Sequence, residues 1–306
     1  VVNVNEVIYF GYELELLEAN IAEHRPHMNR IIVAECQVTT TGWPKPLFAK
    51  DNWSRFEKYD VEHMEIPVSL YNKITPSTDD PALPLEGRMI YQDKFKNVYA
   101  HPRVLDGADW IYHCDTDENI YSRVWDELKA FLGEHPDLHF VSHFAREAYG
   151  HVNTSLNKRN VYRLLRAKEG FDVRNPKFPI RQPRHLYSNR YLGNHYFACF
   201  SRPEEFYWKW MNRTWSWGKY GNNPPTWSEV ESEVKDFMKY SGSFHKQQTD
   251  HPLLGYIKES VPDGYYNPET IRSLEALPAY MQEHIEDFPR IVDGVCIPSK
   301  YMGGVL

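Results

Sequence analysis

The feature that most narrows the fold is a repeated alternation of short apolar runs with segments of helical period. Val4 to Phe10 reads as a short strand, and Glu13 to Glu23 then places Leu14, Leu17 and Ile21 on one helical face. Arg30 to Glu35 is a second buried strand, followed by a Thr/Gly/Pro loop. Asp51 is placed to cap a short helix through Tyr59, and Val61 to Ile66 is a third strand. A Pro-rich loop from Thr75 to Pro84 precedes a helix expected from about Gly87 to Ala100. Trp110 to Cys114, a helix from Arg123 to Phe131 and a strand from Leu138 to Phe144 complete the regular front half. This order predicts an α/β fold with a mixed central sheet flanked by helices.

The second half is more irregular, rich in Arg, Asn, Pro and aromatics from Arg146 to Arg190. Gly193 to Phe200 reads as one more strand, and Pro203 opens a Trp-rich helix. Helices are expected over Ser228 to Tyr240, Thr249 to Glu259 and about Thr270 to Leu277. No repeat and no clear linker divides the chain. A single domain over residues 1–306 is expected, with a nucleotide-binding half to about 145 and an acceptor-binding half from about 146.

Composition removes several classes. No stretch approaches the ~20 apolar residues of a membrane-spanning helix, so no membrane segment is expected. The chain opens almost directly in a strand, which predicts that a targeting segment is absent or removed, and a soluble, cytoplasmic protein rather than an excised lumenal domain. Cys36, Cys114, Cys199 and Cys296 are far apart, with no metal-knuckle or disulfide spacing. A net charge of −7 argues against a broad phosphate-backbone footprint. Aromatics make up 15% of the chain, and such rings either fill cores or stack on sugars and bases.

The sharpest chemical motif is Asp115-Thr116-Asp117, at the end of the apolar run Trp110-Ile111-Tyr112-His113-Cys114. In extended backbone, residues two apart point to one side, so both carboxylates can meet one cation. Oxygen ligands of this kind select Mg²⁺ or Mn²⁺, and the carboxyl ends of strands are where open α/β sheets bind ligands. A diphosphate then fills the open coordination positions, and the ion neutralises the departing nucleoside diphosphate. The bland alternative is a solvated acidic turn before the next helix.

Other segments fit the same site. Lys45, in the stiff loop Thr39 to Leu47, offers a cation for phosphate, and Arg88 is a candidate diphosphate partner; a surface turn and a surface ion pair are the plain alternatives. Asn194 and His195 open a strand and are candidates for sugar hydroxyls, or are core-edge polar groups. Asp250 begins a helix as an N-cap, or faces the site and takes a proton from an acceptor hydroxyl, with Glu204 and Glu205 as rivals for that role.

Several ordered stretches resemble one family. Tyr9-Phe10-Gly11-Tyr12-Glu13-Leu14-Glu15-Leu16-Leu17-Glu18, Ile31 to Glu35, Thr41-Gly42-Trp43-Pro44-Lys45-Pro46-Leu47 with Arg55-Phe56, Cys114 to Ile120, and Gly193-Asn194-His195 through Phe206 look like motifs of the bisecting N-acetylglucosaminyltransferase family. The similarity spans about Val7 to Lys209. It departs from that family where Asp117-Glu118-Asn119-Ile120 lacks a proline, where Asp93 after Tyr91-Gln92 stands for an arginine, and where Asn194 stands for a tryptophan. The resemblance implies a GT-A fold, a divalent metal, a UDP-sugar donor carrying GlcNAc or Glc, and an inverting transfer to a hydroxyl of a glycan-like acceptor. It implies Asp115 and Asp117 as metal ligands, Glu35 near the nucleoside, and a third metal ligand from a late histidine, for which His251 and His284 are candidates.

Two rivals follow from the same residues. Arg159, Arg163, Arg166, Arg174, Arg181 and Arg184 form a basic stretch suited to phosphates, so nucleic acid enters as an acceptor carrying a hydroxymethylated base. Trp208, Trp210, Trp215, Trp217 and Trp227 suit either acceptor stacking or a non-catalytic sugar-binding module. A nucleotidyltransferase needs a basic Gly-rich loop after the first strand, and Gly11-Tyr12-Glu13-Leu14 is acidic instead.

Overall fold

The computed structural model describes residues 2–39, 43–68, 72–74, 90–92, 101–149, 152, 157–167, 185–197, 199–212, 226, 228, 273–293 and 295–302. Strands β1 (Val4–Tyr9), β2 (Arg30–Glu35) and β3 (Glu62–Glu65) alternate with helices α1 (Leu14–His24) and α2 (Phe48–Asp51). After β4 (Asn72–Ile74), β5 (Ile90–Gln92) and α3 (Pro102–Leu105) come β6 (Trp110–Asp115), β7 (Glu118–Ile120) and α4 (Trp125–Glu134). The chain continues through β8 (Phe140–Tyr149), β9 (Asn157–Arg166), β10 (His185–Phe197) and α5 (Pro203–Asn212). Helix α6 (Ala279–Glu283) and the hairpin of β11 (Arg290–Val292) and β12 (Val295–Ile297) follow.

Eight strands form one mixed sheet in the order β3-β2-β1-β6-β9-β8-β10-β7. The β1, β2, β3 and β6 strands run parallel, β9 is antiparallel to both β6 and β8, and β7 returns antiparallel to β10. The expected α/β class, a mixed central sheet with helices packed on it, is what is observed.

Period-two alternation sorts the core. Val4, Ile8, Ile31, Val33, Trp110, Tyr112 and Cys114 pack on one face with Leu14, Leu17 and Ile21 of α1 and Trp125, Leu128 and Leu132 of α4. Val7, Tyr9, Ile32, Ala34, Ile111 and Leu165 cover the other, with Val104 of α3. Each fully buried Leu, Ile or Val contributes about 1.5–3 kcal/mol, so a one-residue slip of β1 is strongly disfavoured.

Helix α1 is buried even at Glu15 and Glu18. Arg55 meets Glu15 at 3.1 Å and Glu18 at 2.8 Å, and Arg202 meets Glu15 at 2.8 Å. Burial opposes ionisation of Glu15, but Arg202 and Arg55 outweigh it and hold its carboxyl below the usual range. The same arginines tie segments about 150 residues apart in sequence to one helix, the separation being that of Arg55 and Arg202.

The fold departs from expectation in places. Asp51 ends α2 instead of capping a longer helix, and two 3₁₀ turns, Trp53–Arg55 and Glu57–Tyr59, follow it. Within the expected helix over 87–100, Ile90–Gln92 is a strand paired with Asn72–Ile74. The charged stretch read as irregular contains β9, which pairs with β6 on one side and β8 on the other although its ten residues show no alternating pattern. The expected helix over 249–259 and nearly all of that over 228–240 lie outside the described residues, and from the one near 270 a 3₁₀ turn, Leu274–Ala276, is described. No helix of the described residues is long and apolar enough to cross a membrane.

Candidate active site

The acidic motif sits where β6 ends beside β1, with Tyr9 opposite Asp115 in the register. Three neighbours pin the turn that follows. The Thr116 hydroxyl donates to Tyr9 O at 2.9 Å, the Asn20 amide of α1 donates to Glu118 O at 2.8 Å, and Tyr196 N of β10 donates to Asp117 O at 2.7 Å. This turn corrects one premise. The backbone is extended only to Asp115, so the rule that residues two apart share a side lapses across Thr116. Asp115 is exposed, whereas Asp117 is 6% exposed.

Asp117 is built into an ion-pair cluster. Lys209 of α5 places Nζ 3.1 Å from Asp117 Oδ2 and 3.6 Å from Glu13 Oε1, at the carboxyl end of β1. His195 Nε2 lies 3.6 Å from the same Asp117 oxygen. Burial pushes the Glu13 carboxyl up and the Asp117 charge adds to this, against the opposing pull of Lys209. The Cys199 thiol is pushed well up by burial and then by Asp117. Glu13 and Lys209 were not singled out from the sequence, where Glu13 is one acid in a loop and Lys209 one cation on a Trp-rich helix.

Lys209 is held in place by the start of its own helix. Glu205 Oε2 accepts from Ser201 N at 2.7 Å and Arg202 N at 3.3 Å, closing the N-terminus in the manner of a capping box. Glu205 and Lys209 stand four residues apart, on one face. Glu205, expected as a rival proton acceptor, therefore has an architectural task, and Glu204 is exposed on the same turn. Burial, then Glu15 and Glu13, push the Glu205 carboxyl well above its ordinary value. A carboxyl raised in the fold binds its proton more tightly folded than unfolded, so it stabilises less as pH rises through the folded value. Glu205→Gln keeps an acceptor for the cap and removes the titration. It is expected to raise the urea midpoint at neutral pH and to match the wild type below pH 4.5, the unfolded value. A midpoint offset that is the same at both pH values contradicts this.

The remaining expected residues fall in three groups. Asn194 is fully buried and satisfied: Tyr121 Oη donates to its Oδ1 at 2.8 Å, its Nδ2 donates to Tyr196 Oη at 2.8 Å, and its backbone N donates to Asn119 Oδ1 at 3.1 Å. Glu35 and Lys45 are brought together, but with each other. Glu35 accepts from Ala49 N at 3.2 Å and Lys50 N at 3.3 Å at the start of α2, and from Lys45 Nζ at 3.3 Å. His63 Nε2 lies 3.3 Å from its other oxygen. Burial lowers the Lys45 ammonium, which also donates to Pro46 O. These contacts account for both residues as an anchor of the loop after β2. Arg88, Asp250 and His251 lie outside the described residues, and His284 stacks on Tyr280 at the end of α6. Trp208 packs edge-on against Phe48 and Tyr207, a packing role. Arg166 of the basic stretch lies over the Trp110 ring.

A divalent ion does not fit this donor set as arranged. Its two expected carboxylates differ in exposure, and the buried one holds an ammonium at 3.1 Å. Two like unit charges 4 Å apart repel by about 4 kcal/mol at an effective dielectric of 20, and a divalent ion doubles this. Among the described residues no group of three His, Cys, Asp or Glu is arranged to hold a metal ion.

No family model matches the chain, and no curated protein matches it. Among solved structures, it is similar to residues 1–349 of TarS from S. aureus, at 10% identity over 81% of this chain and 74% of that one, with a TM-score of 0.33. A TM-score of this size establishes neither a shared fold nor a shared activity.

Proposed function

We propose that the chain is a glycosyltransferase that binds a nucleotide sugar at the carboxyl ends of β1 and β6 and passes the sugar to a hydroxyl acceptor. The observation that carries this reading is the placement of Asp115, Asp117, Glu13, Lys209 and His195 around one turn at that edge of a mixed α/β sheet. The ordered motifs that resemble the bisecting N-acetylglucosaminyltransferases support it from the sequence side. On that resemblance the donor is a UDP-sugar carrying GlcNAc or Glc, the fold is GT-A, and transfer inverts the anomeric centre.

In this reading the acceptor oxygen attacks the anomeric carbon, the bond to the diphosphate breaks, and its electron pair leaves with the diphosphate. The hydroxyl proton passes to a base, for which Asp250 remains the candidate. The chain's described residues position the donor. Asp115 stands exposed at the end of β6, while the hydrogen bonds made by Thr116, Asp117 and Glu118 pin the turn before any ligand arrives. No step is routed through a metal ion, because Asp117 already holds a cation.

The test is a screen of UDP- and GDP-sugars, read as thermal shift and as release of the nucleoside diphosphate. One donor is expected to raise the melting temperature and to be hydrolysed slowly in the absence of acceptor. Absence of both signals across the whole panel would remove the transferase reading and favour a sugar-binding module.

A further inference from the structure

We propose that Lys209 is the resident cation of this site, its ammonium binding the donor diphosphate and neutralising it as it leaves, in the place where a divalent ion is expected. This rests on the transferase reading and names the group that performs its electrostatic step. When the bond between the anomeric carbon and the diphosphate oxygen breaks, the electron pair goes to that oxygen. The Lys209 N–H groups donate to it, while the acceptor oxygen bonds to carbon and its proton goes to the base.

Three observations support the assignment. The ammonium lies between Glu13 and Asp117, 3.6 and 3.1 Å away, and its side chain is only 12% exposed. A charge so shielded from water acts more strongly on an incoming anion than a surface lysine does. Its position is set from its own helix, since Glu205 caps α5 one turn before it, and from Tyr12, whose ring centroid is 6.0 Å from Nζ.

Lysine also suits the role chemically. Its three donors turn on a flexible stem, so Nζ can move from Asp117 toward a diphosphate oxygen while His195 Nε2, 3.6 Å from Asp117 Oδ2, stays beside the carboxylate.

The experiment uses manganese chloride and UDP or GDP as separate probes on the whole chain. Manganese titration followed by electron paramagnetic resonance is expected to show no ion bound by the wild type. Lys209→Met, which keeps the aliphatic stem, is expected to gain a manganese site that Asp117→Asn/Lys209→Met lacks. In chelator, the wild type is expected to bind the nucleoside diphosphate, and Lys209→Met to bind it roughly 100-fold more weakly, with partial recovery in Lys209→Arg. Manganese bound by the wild type and lost in Asp117→Asn overturns the assignment. So does nucleotide binding that requires added manganese, is unchanged in Lys209→Met, or is absent altogether. Lys209-dependent binding without turnover of any sugar nucleotide leaves the cation assignment standing and removes the transferase reading instead.

Discussion

Gly193→Ala is expected to cost more than about 4 kcal/mol and to dislodge the edge of the sheet that frames the candidate site. A Cβ at Gly193 would lie 1.7 Å from Asn119 O, 2.7 Å from Asn119 C and 3.0 Å from Ile120 Cα. Ordinary overpacking costs ~1–3 kcal/mol because side chains turn aside. Here the obstacle is the backbone of β7, which pairs with β10 at Gly193 itself. The strands must part, and with them the contact that Asn194 N makes with Asn119. Effects of this size belong to such named mechanisms. Gly133→Ala is the control. Its Cβ would meet Val2 Cγ2 at 3.1 Å, a side-chain tip that can move, and alanine is the better helix former by about 1 kcal/mol. Urea melts of the two variants should therefore differ by several kcal/mol. Similar midpoints would mean that β7 does not approach β10 as closely as described.

His24→Leu is expected to lose about 3–5 kcal/mol, while His24→Leu combined with Glu6→Leu recovers most of it. His24 and Glu6 are both fully buried, with His24 Nδ1 2.7 Å from Glu6 Oε1 and His24 Nε2 within 3.0 Å of both Ile120 N and Ile120 O. The single change leaves the Glu6 carboxyl in an apolar core beside the Cys114 thiol, 3.3 Å away, and Tyr112 and Trp125 lose their edge contacts to the imidazole. The double change replaces an ion pair by apolar volume. Burial alone would lower His24, but Glu6 outweighs it and the imidazole ends above its ordinary 6.5. A raised histidine contributes stability that is complete below the unfolded value and is lost as pH rises through the folded one. The wild-type midpoint should accordingly fall on the alkaline side of 6.5, and the double variant should lack that fall. An alkaline fall of equal size in both would assign it to other groups.

Much of the architecture was legible because local periodicity and burial agree. Leu14, Leu17 and Ile21 were expected on one helical face and are all buried there. Parallel strands covered on both faces appear as apolar runs, and β2 and β6 were found for that reason. Strand β9 was missed because Asn157 to Arg166 contains four Lys or Arg residues, Lys158, Arg159, Arg163 and Arg166, and no alternation. Strand β7 was missed because three residues, Glu118 to Ile120, carry no period; their pairing with β10 makes them a strand.

The site divides along the same physical line. Glu35 and Lys45 have the chemistry of ligand-binding groups in one dimension. In three they meet each other at 3.3 Å, since a buried carboxylate and a buried ammonium are each costly alone. By itself the sequence determined the acidic motif at the end of a buried strand, because an apolar run must end where water begins. Only the tertiary structure decided which charges the motif meets. Glu13, Asp117, His195 and Lys209 are separated by up to 196 residues, the gap from Glu13 to Lys209, and no local pattern encodes a pairing made by sheet order and helix docking.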